Sequence, residues 1–245
     1  MDRAKFFAAL RRRASGVFGT SLTQGQVDGI NGILDVFATH GDGRDKTLAY
    51  ALATTYHETG ARMVPVREGF AKDDASARRI VAKREYGKPA GRYGHVYYGR
   101  GQVQLTWLKN YDTSSADASY DLVAYPDKML DPVISARVMI KGLLDGRWNA
   151  AGKGIATYLP TNGPDDLKNA RRAVNVIDKW ELIGGYYTAF LSAIKEAGGV
   201  PAATKPATAP AQPKPITIEP QPVSDGNWLS ALLKAIAAIF TKKET

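Results

Sequence analysis

Apolar residues in this chain recur every three or four positions, and almost nowhere do they alternate. Across 26–39 the spaced set is Val27, Ile30, Ile33, Leu34 and Phe37, which makes one face of a helix. Ser21 or Thr23 stands ahead of it as a candidate N-cap. A second face runs from 45 or 47 to 58 through Leu48, Ala51, Leu52, Thr55 and Tyr56, with Gly60 just beyond as a C-cap. Segments 6–10, 73–83, 132–144, 170–177 and 180–196 also read as helical, the last closed by Gly198 and Gly199. Residues 88–101 hold Gly, Pro and Tyr and read as a loop or short hairpin. The expected fold class is mainly α, with at most a small β element.

The helical pattern stops where composition changes. From 200 to 226, seven of 27 residues are Pro, among Ala, Thr, Lys and Gln. Such a segment cannot bury a core and reads as an extended linker. Beyond it, Trp228 to Phe240 is apolar-rich and carries Lys234, with Lys242 and Lys243 following. That stretch is too short for a hydrocarbon layer of about 30 Å and suits an anionic membrane surface, a helix docking back onto the domain, or a small self-association element. The expected organisation is a globular domain at 1–198, a Pro/Ala-rich linker at 199–226 and a short basic amphipathic helix at 227–245.

The net charge of +9 predicts an anionic partner. Only two of those charges fall from Val200 onward, so the attraction belongs mainly to the globular part. No recognisable nucleic-acid motif accompanies the charge, and nucleic acid is not expected as a partner. The absence of cysteine excludes disulfides, thiolate metal sites and a Cys nucleophile. The longest apolar run near the start, Phe6 to Leu10, is too short for a secretion signal, so no secretory route is visible and accumulation in the cytoplasm is expected.

The helix ending at Glu58 brings a carboxylate to the negative end of a helix macrodipole. That position is expected to push its pKa upward, which suits a general acid at neutral pH. His57–Glu58 also begins the HExxH zinc pattern, but Ala61 stands where the second His would be, and no metal is expected. Gly99 and Gly101 flank Arg100 without the Lys-Ser/Thr of a phosphate loop, so no nucleotide or other cofactor is expected.

Taken together, YHETG at 56–60, YYGRGQVQLTW at 97–107, Asn110–Tyr111 and the late Arg171, Arg172 and Asn175 resemble the family 19 chitinases and the phage endolysins of the same lysozyme-like fold. The resemblance runs over about 6–195. It implies a glycosidase with Glu58 as general acid. For the second carboxylate the endolysin branch points to Glu68, ten residues on, while the longer spacing of plant members leaves Glu85, 27 residues on, as the alternative. The resemblance also implies Thr106 as the hydroxyl that orients water, and His57, Tyr98, Arg100, Gln104, Asn110, Tyr111, Arg172 and Asn175 as substrate contacts. Within Arg100, Arg171 and Arg172, one guanidinium is expected to hold a carboxylate in the cleft. Each Tyr is as readily a core residue as a ligand contact.

The expected function is therefore endolysin-type cleavage of the β-1,4 glycan backbone of peptidoglycan by a monomer, without cofactor, reaching the wall by holin-type release. Chitin hydrolysis is the alternative enzyme reading. A non-catalytic wall-binding module is the alternative outside catalysis.

Overall fold

The computed structural model describes residues 1–149, 152–175 and 177–200; the expected linker beyond 200 and the helix at 227–245 lie outside the described residues. Among these are nine α-helices: α1 (Arg3–Leu10), α2 (Gln24–His40), α3 (Asp45–Glu58), α4 (Asp74–Val81), α5 (Leu108–Ala118), α6 (Pro132–Asp145), α7 (Ile155–Tyr158), α8 (Leu167–Ala170) and α9 (Trp180–Glu196). Two strands of two residues each, β1 (Val66–Arg67) and β2 (Arg100–Gly101), make one antiparallel sheet in which Val66 faces Gly101 and Arg67 faces Arg100. The mainly α class with a small β element is the one expected.

Helix starts follow their local chemistry. Thr23 caps α2 in a full capping box with Gln26, whose side-chain amide also donates to the Ala61 carbonyl at 2.9 Å. Asp2, Asp73 and Asp131 cap α1, α4 and α6 with their carboxylates, and Pro132 opens α6 where no amide hydrogen is needed. α3 runs through the centre of the core: Leu48 to Ala53 are all buried, and it packs most extensively on α9. α2 and α5 pack on α6, and α1 packs on α9.

Two elements depart from the sequence pattern. α5 was not expected, because its Asn, Asp, Thr and Ser are weak helix formers and Trp107 offers no side-chain cap. Burial of Tyr111, Ser114 and Ala118 on that helix overrides propensity. The helix expected at 170–177 ends early. α8 is capped by Asp166, and a 3₁₀ turn, Arg171–Ala173, follows it.

Candidate active site

The end of α3 is closed by two hydrogen bonds that the Gly60 backbone makes possible. Gly60 has φ +55°, its N–H donates to the His57 carbonyl at 3.2 Å, and the next N–H, of Ala61, donates to the Tyr56 carbonyl at 2.7 Å. This crossed pair turns the chain away sharply and leaves Glu58 as the last helical residue. Its carboxylate is not alone with the helix end. Arg171, buried on the 3₁₀ turn after α8, donates from Nη2 to Glu58 Oε1 at 2.8 Å. The carboxylate side chain itself is 16% exposed, enough to open onto a cavity.

The second carboxylate comes from the sheet. Glu68 follows β1; its main-chain N–H donates to the Gly99 carbonyl at 2.7 Å, and the Gly99 N–H donates back to Glu68 Oε2 at 2.8 Å. A side chain at 99 would come within 2.7 Å of Gln104 and 3.2 Å of Glu68, so glycine is what allows the carboxylate to lie against this backbone. Oε1 accepts from the Tyr86 hydroxyl at 2.6 Å. Burial and then this bond push the Tyr86 pKa up to about 12, so the hydroxyl stays a donor at neutral pH.

A cavity of about 400 Å³ joins the two. Glu58, Glu68 and Thr106 line it with His57, Gln104 and Asn175, six of the residues expected at the site. Gln104 adopts φ +51° and ties its amide to the Val66 and Gly101 carbonyls at 3.0 and 3.1 Å. Burial holds His57 below the ordinary imidazole pKa, with neighbouring Glu58 opposing. The neutral ring can accept or donate hydrogen bonds beside the acid. Glu85 lies elsewhere, its exposed side chain paired with Lys88 at 3.0 Å.

Five expected contacts do not line the cavity. Tyr98, Arg100 and Tyr111 are fully buried and do not line the cavity. Arg100 donates to Asp127 at 2.7 Å, Asp74 at 3.3 Å, the Val96 carbonyl at 3.1 Å and the Tyr111 hydroxyl at 3.2 Å. Its guanidinium lies 3.5 Å from the centre of the Tyr98 ring, and the Tyr98 hydroxyl donates to Asp74 at 3.0 Å. A buried cation needs such company, and the two aspartates and the Tyr98 ring supply it. Asp127 also accepts from Arg67 at 2.7 Å, so a single carboxylate bridges the two arginines that face each other across the sheet. The fourth such contact is Arg172, which is exposed and bonded to Asn169 at 2.9 Å. In a 3₁₀ turn consecutive side chains point about a third of a circle apart, so Arg171 turns inward and Arg172 outward. Asn110 sits in the first turn of α5 outside the cavity lining, its N–H bonded to the Trp107 carbonyl at 2.9 Å.

Tyr86 and Trp107 line the cavity without having been expected there. Trp107 closes the QLTW segment, and Tyr86 is the neighbour of Glu85; both lay beside residues already singled out.

Residues 28–149 match the glycoside hydrolase family 19 profile, described as chitinase class I. An endochitinase of Persea americana is 29% identical over 149 residues, which are 52% of this chain and 46% of that protein. The chain thus spans less than half the length of that relative. Chitinase C of Streptomyces griseus superposes with a TM-score of 0.48 at 20% identity, over 83% of this chain and 78% of the other. A bacterial family 19 chitinase superposes with a TM-score of 0.49 at 20% identity, over 83% and 97%.

Proposed function

We propose that this chain, whose residues 28–149 belong to the chitinase class I family of glycoside hydrolases, cleaves the β-1,4 glycan backbone of bacterial peptidoglycan. The observation that carries the glycosidase reading is one cavity lined by Glu58, Glu68 and Thr106, which arrive from three separate segments. Hydrolysis of such a bond needs an acid to protonate the leaving oxygen and a second carboxylate to activate water. Glu58 is the acid in this reading, and Arg171 stabilises the carboxylate left after the proton has gone. Glu68, which accepts two hydrogen bonds, keeps lone pairs for a water molecule that the Thr106 hydroxyl helps to aim.

Peptidoglycan is favoured over neutral chitin by the charge of +9, which suits a polymer bearing peptide carboxylates, and by the short spacing from Glu58 to Glu68. Chitin is the second reading, favoured by the family match itself. Purified peptidoglycan and colloidal chitin digested in parallel, with fragments weighed by mass spectrometry, separate the two. MurNAc at the new reducing ends is the expected result. Release of GlcNAc oligomers from chitin alone would move the assignment to chitinase, and no sugar release from either would remove the catalytic reading.

A further inference from the structure

Trp107 is an expensive residue to keep where it is. Its backbone has φ +71° and ψ 132°, a region that L side chains rarely adopt and that favours glycine. It holds that conformation through an N–H bond to the Tyr97 carbonyl at 2.9 Å, and its own carbonyl accepts from Asn110 and Tyr111 in the first turn of α5. The indole that results is 49% exposed and lies in the wall of the cavity that holds Glu58 and Glu68. Its ring meets the Tyr86 ring edge to face, with centres 5.5 Å apart, and the hydroxyl of that tyrosine is bonded to Glu68.

A half-exposed indole on a strained backbone contributes little to the core. Its position does suit a flat apolar ligand. In a β-1,4-linked N-acetylhexosamine the ring substituents are equatorial, which leaves axial C–H groups to form apolar faces. An indole can cover such a face while the sugar's polar edge remains free to bond elsewhere.

We infer that Trp107 is a stacking platform for one N-acetylhexosamine ring of the substrate, adjoining the position served by Glu68. This rests on the glycosidase reading above and adds to it a binding residue. Tyr86 is the hinge of the arrangement, because one face of its contacts is the platform and its hydroxyl is the support of the carboxylate.

The test uses the full chain carrying Glu58→Gln, so that binding is read without turnover, titrated by calorimetry with N-acetylchitotetraose and with soluble peptidoglycan glycan strands. Added Trp107→Ala should weaken binding about tenfold or more, and added Trp107→Phe by only a few-fold. Trp107→Gly is the second variant, since glycine adopts this backbone more readily than any other residue; it should fold, as read by thermal melting, and bind as weakly as Trp107→Ala. Unchanged affinity in folded Trp107→Ala or Trp107→Gly overturns the platform while leaving the glycosidase reading in place. If the Glu58→Gln protein binds neither sugar and the wild type cleaves neither polymer, both fall together.

Discussion

Glu58 ends a helix of 14 residues whose middle is buried on all sides, whereas Glu68 follows a strand of two residues and opens a 3₁₀ turn. The first carboxylate inherits its place from a rigid element and needs one outside partner, Arg171. The second has no such element beneath it. Its two oxygens are held by Tyr86 and Gly99, and its strand is held from behind by Asp127 bridging Arg67 and Arg100. A helix end can be placed by local bonds alone, while a loop carboxylate must be placed by contacts from far along the chain.

The largest effect that tests this contrast is on stability. Arg100→Met removes the buried cation around which Asp74, Asp127 and two tyrosines are arranged, and should cost about 3 kcal/mol or more in denaturant unfolding. A loss under 1 kcal/mol would mean that the sheet does not depend on it. Next is Glu58→Gln, which keeps the helix end and removes the proton donor; glycan hydrolysis should fall by roughly 10² or more with an unchanged melting temperature. Near-normal turnover by the folded variant would end the assignment of Glu58 as acid.

Tyr86→Phe is expected to be milder. It takes one hydrogen bond from Glu68 and leaves the Gly99 bond, so kcat should drop about tenfold, consistent with the usual worth of a bond to a charged group. If the loop carboxylate is held by its backbone bond alone, kcat will stay at the wild-type value. The smallest effect concerns acid. Burial opposes ionisation of Asp127, but the Arg67 and Arg100 bonds outweigh it and hold its carboxyl below the ordinary 3.8. A carboxyl lowered on folding stabilises the fold above its unfolded pKa, and that contribution is lost as pH falls through the folded value. Wild type should therefore exceed Asp127→Asn in urea midpoint at pH 6, and the gap should narrow towards pH 3. A gap that is constant with pH would show that the charge of Asp127 is not what supports the sheet.

The same contrast explains what the sequence made legible. The faces of α2 and α3, the Thr23 cap and the Gly60 closure are local, and all are visible in residue spacing. Glu58 could be placed for that reason. Choosing Glu68 over Glu85 required the resemblance, because nothing local separates one exposed-looking Glu from another. Arg100, Tyr98 and Tyr111 were misread because a Gly-flanked Arg among tyrosines has the same composition whether it faces a ligand or is buried with two aspartates. Trp107 was missed because its strain is a property of φ and ψ, which no residue letter records.

Glu58 and Arg171 are separated by 113 positions. A polypeptide emerging from the ribosome can form α2 and α3 long before the guanidinium exists. Until about 70% of the 245 residues have been translated, the Glu58 carboxylate has no cation to meet it. Contacts that close so long a loop are also slow to form, so activity should appear after the helices have collapsed and not with them. The pair thus acts as a completion mark: an ion pair at the cavity that comes into being only when nearly the whole domain has been made.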